Sequence, residues 1–497
     1  MAPDLTRRDL IRAGGAGAVG LTVLGASACD RDDATGAAPA RRAQAPAGAM
    51  SVVVVVMDSL RADHIYGSRA RTETMDAFAR ESLRFTRAHP EGMPTIPARR
   101  AIMSGRRTFP FRGWHRYKGL PPQPGWEPVG SDGQMFTEYL RERGWTVGYV
   151  TDNPHLLLPV HDRFRAKFDR VELVEGQVPL RRKPTRRVSQ AEVDRHLPPS
   201  MRGSRFEARM RAYLAANPRD RREEQFLAAR VFQRGMSWVE WARAHQPFAL
   251  VIDSFDAHEP WDAPRRIVDL YGRPRARGVE PIQPFPTPAA QYRELELTRS
   301  ILRRMRQLYA AEVTLVDIWL GHFLTRLADL GLAQNTLVVL VSDHGVLLGE
   351  YGWVGKRYSE MHEELTHVPL LIRHPQGKGK GSTSDYYAST HDIGPTVLSV
   401  LGQGVPEHMD GVDLSPLLDG RAPAVRRTHR TSCYNDHVCA SDGRWLLISD
   451  NRGRQKRLYT LRGEQANVAQ RNPDPVRRLW GLIQKDAGPK GLPRFKD

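Results

Sequence analysis

Cysteine is scarce in this chain: its 497 residues include three, Cys29, Cys433 and Cys439. So few thiols exclude a fold held together by several disulfides. Cys433 and Cys439 are the two that could pair, but six residues along one straight strand would hold them too far apart. Pairing therefore needs a turn, and residues 434–437, "YNDH", supply Asn-Asp turn chemistry. Two alternatives stay open, a disulfide or two unpaired thiols.

Long hydrophobic runs are also lacking, and the apolar stretch near the N-terminus is too short and glycine-rich for a good membrane span. The segment "TRRDLIRAGGAGAVGLTVLGASAC", with Arg7 and Arg8 paired, instead resembles a twin-arginine export signal. We expect a signal peptide over residues 1–28, recognition by the twin-arginine export machinery, and an extracytoplasmic protein. Cleavage after Ala28 leaves open a released protein or a lipoprotein anchored to the membrane through Cys29.

Acidic residues are outnumbered: 56 Asp and Glu face 74 Lys and Arg, a formal charge of +18. This balance favours anionic partners, such as substrates, cell-wall polymers or lipid headgroups. The arginines are scattered, and the sequence has no helix-turn-helix, zinc-finger or aromatic-basic pattern. We therefore expect no nucleic-acid partner.

Continuous apolar runs that end in polar residues recur along the chain, and helical periodicity lies between them. Runs apolar on both faces are typical of buried parallel strands. Their alternation with helices, such as the one predicted within residues 299–331, indicates an α/β fold with a mostly parallel central sheet flanked by helices. The runs lie in residues 51–60, 144–155, 247–261 and 336–345.

Changes in composition predict the domain organisation. An Ala/Pro/Gly-rich tether follows the signal peptide, and a catalytic domain with an arginine-dense insertion follows the tether. A short hairpin within residues 442–463 and a helix around 474–485 indicate a small C-terminal α+β subdomain. The predicted bounds are 29–50 for the tether, 51–424 for the catalytic domain, about 160–235 for the insertion and 425–497 for the subdomain.

Polar side chains follow two of the buried runs directly: Asp58 follows the first, and Asp343 and His344 follow the last. Ligands of α/β proteins bind at the carboxyl ends of the strands, so these residues are expected to meet there. Carboxylate and imidazole groups together can hold one divalent cation.

A rigid segment, "MPTIPARR", places Thr95 between two prolines and just ahead of Arg99. Proline favours the first turn of a helix, where the hydroxyl would meet free N–H groups and the positive end of the helix dipole. Arg99 could then clamp two oxygens of a tetrahedral anion. The alternative for Thr95 is a simple helix cap.

Six segments in order, among them "VVMDSLRADHIYG", "TIPARRAIMSGR", "FDAHEPWDAP" and "LVVLVSDHGVLLGE", resemble the sulfatase-like hydrolases of the alkaline phosphatase superfamily. The resemblance spans about residues 51–480. It implies an ester hydrolase that acts on an anionic substrate. The roles it implies are metal ligation by Asp58, Asp343 and His344, a metal-touching nucleophile at Thr95, support of that nucleophile by Arg99, a leaving-group histidine at His258 and anion binding by Lys356.

The chain departs from that pattern in three places. Sulfatases carry Cys or Ser, converted to formylglycine, where this chain has Thr95, so no formylglycine is expected. Ser59 replaces a second metal-binding aspartate, which favours Mn²⁺ or Zn²⁺ over Ca²⁺. A lysine-tryptophan-histidine segment is missing after the fourth strand, and Asn153 and His155 are candidate substitutes in contacting the substrate.

Threonine at the nucleophile position alters the expected chemistry. A formylglycine hydrate has a second hydroxyl that expels sulfate, whereas Thr95 has one, and a phosphorylated threonine can be opened by water. We therefore expect activity on phosphate diesters, other phosphate esters or phosphonate esters, with a substrate derived from cell wall or lipid. The alternatives are an arylsulfatase acting on sulfate esters and a non-catalytic member that binds anions.

Overall fold

The structure is a computed structural model that describes residues 43–495 except 66, 68, 178–185, 274–277, 287 and 462–465. The predicted signal peptide, Cys29 and most of the predicted tether lie outside the described residues. Within the part that is described, no helix is both long enough and apolar enough to cross a membrane.

The central element is an eight-stranded mixed sheet. In spatial order its strands are β12 (Thr383–Ser384), β2 (Leu83–Phe85), β11 (Leu370–Arg373), β8 (Thr336–Ser342), β1 (Ser51–Met57), β6 (Phe248–Ser254), β4 (Thr146–Thr151) and β5 (Arg170–Leu173). The five strands from β8 to β5 run parallel, while β11 is antiparallel to both of its neighbours. The expected α/β fold with a mostly parallel centre is confirmed.

The valines of β1 explain why this strand lies at the centre. Val53 and Val55 pack into one hydrophobic cluster, whereas Val52, Val54 and Val56 pack into another. Successive side chains of a strand point to opposite faces, so an unbroken apolar run satisfies a sheet that is covered on both sides. Every residue of β1 is buried accordingly.

Helices cover both faces of the sheet. The longest is predicted from the sequence within residues 299–331 and spans Arg299–Asp329. The helices are α1 (Glu73–Arg80), α2 (Thr95–Ser104), α3 (Phe136–Glu142), α4 (Asp162–Arg165), α5 (Gln190–His196), α6 (Arg205–Ala216), α7 (Leu227–Ala242), α8 (Arg265–Val268), α9 (Arg299–Asp329), α10 (Glu363–Thr366), α11 (Ile393–Val400), α12 (Ser415–Leu418) and α13 (Pro473–Asp486).

Two smaller sheets complete the fold. Strands β7 (Ala289–Gln291), β10 (Trp353–Gly355) and β9 (Leu347–Leu348) form a three-stranded antiparallel sheet. A five-stranded sheet contains β3 (Gly92–Met93), β13 (Arg430–Tyr434), β14 (His437–Ser441), β15 (Trp445–Asp450) and β16 (Arg457–Thr460). Because β3 pairs with β13, the C-terminal sheet is joined to the segment that leads into Thr95.

The register of β13 and β14 decides between the two alternatives for the cysteines. Cys433 lies opposite Val438 and Cys439 lies opposite Ser432. The two thiols belong to hydrophobic clusters on different faces of the sheet, and both are free. The turn expected at residues 434–437 is present, but it does not bring the sulfur atoms together.

Candidate active site

The carboxyl ends of β8, β1, β6 and β4 lie side by side, because these four parallel strands are consecutive in the sheet. Asp58 follows β1, and Asp343 and His344 follow β8. Their ligand atoms all lie within 4.8 Å of one another, and the three residues are fully buried. The convergence expected from the sequence is therefore present in the structure.

These residues satisfy the requirements of a cation site. Nδ1 of His344 lies 2.9 Å from the carbonyl oxygen of Gly345, a contact in which the ring nitrogen is the donor, so Nε2 is left as the ligand. Nε2 lies 3.4 Å from Oδ2 of Asp343. Burial lowers the pKa of His344 to about 4, which keeps the ring neutral. Burial and the charge of Asp343 raise the pKa of Asp58, and its Oδ2 accepts no hydrogen bond from the described residues.

Arg99 is enclosed by carboxylates. Its Nε and Nη2 donate to the two oxygens of Asp253 at 2.8 and 2.6 Å, a bidentate pair. Nη1 donates to Asp343 at 2.5 Å and lies 3.2 Å from Oδ2 of Asp58. Burial alone would lower the pKa of Arg99, but these three carboxylates raise it well above its ordinary value. Three carboxylates around one guanidinium leave two negative charges, which a divalent cation would balance.

The hydrogen bonds of Arg99 also revise one expectation, that this residue clamps a tetrahedral anion. The clamp on a tetrahedral anion requires free donors, yet Nη1 also donates to the backbone oxygen of Thr95 at 3.1 Å. Arg99 is 1% exposed, and its donors are engaged by the protein. Its geometry fits the other predicted role, in which it holds the first turn of α2 against the strand ends.

Thr95 is the first residue of α2, as the prolines predict. Its hydroxyl lies 3.5 Å from Nε2 of His344, so it faces the candidate cation site. Pro94 occupies the N-cap position, and no side chain caps this helix. The geometry therefore favours a hydroxyl directed at the strand ends over a simple helix cap.

His258 and Lys356 form a contact beside this centre. Nζ of Lys356 donates to Nε2 of His258 at 2.8 Å, and Nδ1 of His258 lies 2.7 Å from the carbonyl oxygen of Glu259. Burial, then the charge of Lys356, lowers the pKa of His258 well below its ordinary value. Glu259, whose pKa is raised by burial, lies 3.7 Å from Nζ of Lys356 and balances its charge.

Asn153 and His155 lie just beyond β4. Oδ1 of Asn153 accepts a hydrogen bond from the backbone of His155, while its Nδ2 is buried without a partner among the described residues. Burial lowers the pKa of His155 to about 3. Aromatic contacts link Asn153 and His155 to the candidate cation site. The ring centroid of Phe255 lies 6.4 Å from that of His155, and Phe255 stacks on His258 at a centroid distance of 4.1 Å. Contact of Asn153 and His155 with a substrate stays a prediction.

Sequence reasoning missed Asp253 and Glu259. Asp253 lies inside β6, where it binds Arg99 and also accepts a hydrogen bond from Tyr149 at 2.8 Å. A carboxylate within an otherwise apolar strand was the available signal, because a fully buried charge requires a partner. Glu259 follows His258 directly, and its role depends on Lys356, which is far away in the sequence.

The protein is thus an α/β protein with a candidate cation site at the strand ends. The hydroxyl of Thr95 faces this site, and the pair of Lys356 and His258 lies beside it. The chain belongs to the sulfatase family, whose family model matches residues 51–403.

Individual relatives match over shorter segments. The N-acetylglucosamine-6-O-sulfatase of Bacteroides thetaiotaomicron is 41% identical over 118 residues, which are 23% of this chain and 21% of that protein. The arylsulfatase of Clostridium perfringens is 26% identical over 237 residues, 44% of this chain and 46% of the relative. The multifunctional alkaline phosphatase superfamily protein PehA of Trinickia caryophylli is 32% identical over 128 residues, 26% and 24% of the two chains. The chain thus spans less than half the length of these relatives.

Solved structures show the same fold along most of the chain. The phosphonate monoester hydrolase from Silicibacter pomeroyi has a TM-score of 0.65 at 19% identity and covers 88% of this chain and 95% of its own. A protein in complex with its substrate D-glucosamine-2-N,6-O-disulfate has a TM-score of 0.64 at 18% identity, with 88% and 97% covered. At such identities the likeness concerns the fold alone.

Proposed function

We propose that this protein is a metal-dependent ester hydrolase in which Thr95 is the nucleophile, and that it acts on phosphate esters, diesters above all, or on phosphonate esters. The observation that carries the proposal is the 3.5 Å contact between the hydroxyl of Thr95 and Nε2 of His344, within a buried site of two carboxylates and one imidazole. Membership of the sulfatase family supports ester hydrolysis.

Each residue of the site has a part in this proposal. Asp58, Asp343 and His344 would hold the cation, and Mn²⁺ or Zn²⁺ suits a set that contains imidazole better than Ca²⁺ does. A bound divalent cation would supply positive charge that favours the alkoxide form of Thr95. Arg99 fixes the backbone oxygen of Thr95 and thereby the direction of the hydroxyl.

The reaction proceeds in two displacements. Oxygen Oγ1 of Thr95 attacks phosphorus, the bond to the leaving alcohol breaks, and the proton that the hydroxyl of Thr95 gives up ends on the departing alcohol. The ammonium of Lys356, beside His258, stabilises negative charge on the anion. Water then attacks phosphorus, the bond to Oγ1 breaks, and the threonine regains its proton from the water. A diester substrate thereby releases a phosphate monoester, a monoester releases phosphate, and a phosphonate ester releases a phosphonate.

The single hydroxyl of Thr95 is what favours phosphorus over sulfur. A sulfated threonine lacks the second hydroxyl by which a formylglycine hydrate expels sulfate, so only slow attack at sulfur would release it. The second candidate is nevertheless an arylsulfatase, because several relatives carry sulfatase names. The third candidate, a non-catalytic anion-binding protein, is favoured by Ser59 in place of an aspartate.

Substitutions at Thr95 test the proposal. Thr95→Ala is expected to lower kcat about 10³-fold or more, and Thr95→Ser to retain much of the activity, because the serine keeps a hydroxyl. Thr95→Cys, expressed with a formylglycine-generating enzyme, is expected to gain aryl sulfatase activity. The measurement is kcat/KM on a matched aryl sulfate, phosphate monoester, diester and phosphonate ester with Mn²⁺, Zn²⁺, Mg²⁺ or Ca²⁺.

A matched control is Thr298→Ala, which removes the capping hydroxyl of α9 away from the site. This variant is expected to keep wild-type turnover. A wild type that hydrolyses sulfate better than every phosphoester would move the assignment to an arylsulfatase. A wild type that binds metal but hydrolyses none of the four esters would favour the anion-binding protein.

The location of the protein is also a proposal. We place it outside the cytoplasm, with an anionic ester of cell wall or lipid as its substrate and with Cys29 as the site of a lipid anchor. Replacing the thiol by Cys29→Ser is expected to release the protein from the membrane fraction. A wild type that is already soluble outside the cell would contradict the anchor.

A further inference from the structure

Glu259 is a buried carboxylate that contacts both side chains beside the proposed cation site, yet the proposed reaction gives it no step. Its Oε2 lies 3.7 Å from Nζ of Lys356 and 3.3 Å from Nδ1 of His258. Among the described residues, it is the only carboxylate within ion-pair distance of Lys356. Glu259 itself is 3% exposed, so its charge is shielded little by water.

The contact with Lys356 indicates that the two groups carry opposite charges. Lys356 is buried, and a buried ammonium group is stable only when it is paired. Burial raises the pKa of Glu259, whereas the charge of Lys356 lowers it. Burial also lowers the pKa of His258 well below its ordinary value, so this ring adds no charge. Glu259 therefore cancels the positive charge that the proposed function assigns to substrate binding.

The rest of the centre provides no surplus of positive charge. Three carboxylates surround Arg99, and one divalent cation would bring that group to zero. The donors of Arg99 are engaged by the protein, so Lys356 is the cationic side chain left for the substrate. Because Glu259 pairs with it, the metal-loaded centre has no net charge before a substrate binds.

The ion pair of Lys356 and Glu259 acts electrostatically on the proposed cation site. Burial, and to a smaller extent the charge of Lys356, lowers the pKa of His344. The charge of His344 in turn contributes to lowering the pKa of Glu259, after burial has raised it. A substrate anion held between the cation and Lys356 would therefore experience the charge of Glu259 as well.

Candidate esters differ in the charge that they would bring to this centre. A phosphate diester, a phosphonate monoester and a sulfate ester each carry one negative charge at pH 8. A phosphate monoester carries two, because its second pKa is about 6. Coulomb energy is proportional to the product of the charges, so Glu259 repels the doubly charged ester about twice as strongly.

We propose that Glu259 is a specificity-determining residue, which makes the site select esters with a single negative charge by cancelling the charge of Lys356. This inference rests on the proposed function and narrows its substrates to singly charged esters. Glu259 acts through Lys356 and through its field, and it takes no part in the bonds that form or break. Without its charge, the centre would carry one surplus positive charge and accept a doubly charged ester more readily.

Anion binding to the metal-loaded full-length protein tests the inference without relying on turnover. The probes for calorimetry at pH 8 are sulfate, with two charges, and dimethyl phosphate, with one. Glu259→Gln keeps the size of the side chain and removes its charge, so sulfate is expected to gain about 10-fold or more in affinity relative to dimethyl phosphate. Glu259→Asp keeps the charge and is expected to leave the relative affinity near the wild-type value.

Hydrolysis provides the second measurement. The ratio of kcat/KM for 4-nitrophenyl phosphate to that for methyl 4-nitrophenyl phosphate compares two and one charges with the same leaving group. This ratio is expected to rise about 10-fold or more in Glu259→Gln and to stay unchanged in Glu259→Asp. Glu280→Gln is the matched control, because Glu280 is also buried but pairs with Arg304 at 2.9 Å. It should leave both ratios unchanged, and circular dichroism checks that each variant folds.

Three outcomes would overturn the inference: ratios in Glu259→Gln that equal those of the wild type, the same shift in Glu259→Asp, or a wild type that prefers the phosphate monoester to the diester. The proposed function fails separately. A wild type that hydrolyses no ester, but whose relative affinity for the two anions shifts in Glu259→Gln, would retain the role of Glu259 and refute the hydrolase.

Discussion

Arg99 is the residue on which the geometry of the site depends. Its planar fork holds both oxygens of Asp253, one oxygen of Asp343 and the backbone of Thr95. Lysine keeps the charge of Arg99 but has one nitrogen, so it cannot satisfy these acceptors together.

Arg99→Lys is therefore expected to lower the free energy of unfolding by about 1–3 kcal/mol, since buried acceptors lose their donors. It should also lower kcat by about 10²-fold, because the direction of Thr95 is no longer fixed. Urea unfolding and steady-state kinetics measure the two effects. Arg326→Lys is the control: this arginine pairs with Glu240 at the surface, so a change within about 0.5 kcal/mol is expected. Equal losses in both variants would contradict the special role of Arg99.

Asp343 is the residue that best tests the metal site. Asp343→Asn removes one proposed anionic ligand while it keeps the size of the side chain, and it is expected to lower metal occupancy by orders of magnitude. Elemental analysis after dialysis measures the metal-to-protein ratio, and circular dichroism confirms that the variant folds. Asp419→Asn, a surface change next to Lys378, should leave the ratio unchanged. Full occupancy in Asp343→Asn would remove this residue from the ligand set.

The sequence predicted which polar residues lie at the strand ends, but it did not predict which side chains they contact. Asp58, Asp343 and His344 follow apolar runs, and parallel strands bring such ends to one edge. Asp253 and Arg99 are 154 positions apart, and no spacing indicates that a strand carboxylate meets a helix guanidinium. That contact arises only when α2 packs onto the sheet.

At the scale of elements, α9 carries a buried carboxyl group that the proposed chemistry does not use. Glu312 is 1% exposed, and its Oε2 accepts a hydrogen bond from the backbone of Ala263 at 2.8 Å. Burial, then the charge of Asp262, raises the pKa of Glu312 to about 8. The folded protein therefore keeps a proton on Glu312 that the unfolded chain releases near pH 4.5, so stability falls as the pH rises between these values.

Glu312→Gln removes this dependence and keeps the hydrogen-bond acceptor. The variant is expected to be more stable than the wild type by about 1–3 kcal/mol at pH 8, and by less than about 1 kcal/mol at pH 5. Urea unfolding at pH 5, 6.5 and 8 measures the difference. Asp329→Asn, an exposed change at the end of the same helix, is the control for the substitution itself and should change the free energy of unfolding by less than about 0.5 kcal/mol. A Glu312→Gln difference that is constant from pH 5 to 8 would contradict the raised pKa.

Helix and turn positions were predictable from local patterns to within a few residues. The final helix was expected at residues 474–485 and spans Pro473–Asp486. The longest helix was predicted within residues 299–331 and spans Arg299–Asp329. The cavity lined by Trp114, Arg452 and Arg494 was not predictable, since loops from three distant parts of the chain meet there.

At the scale of the whole molecule, the unpaired cysteines indicate in which cellular compartment the protein can fold. Cys433 and Cys439 are buried, free and on opposite faces of the C-terminal sheet. Two such thiols need no oxidising compartment to reach their native state. A protein of this kind can complete folding in the cytoplasm, which agrees with the export route that the paired Arg7 and Arg8 predict, because that route carries folded proteins.

Replacing both arginines, Arg7→Lys and Arg8→Lys, is therefore expected to leave the folded precursor inside the cell. The measurement is cell fractionation followed by immunoblotting, with ester hydrolysis of the cytoplasmic fraction as a check that the retained precursor is folded. Arg41 and Arg42 provide the matched control, since they are also adjacent but follow the predicted signal. Their double lysine variant should be exported like the wild type. Export of the Arg7/Arg8 variant at the wild-type level would refute the twin-arginine route, and the buried thiols would then have to stay reduced through folding outside the cytoplasm.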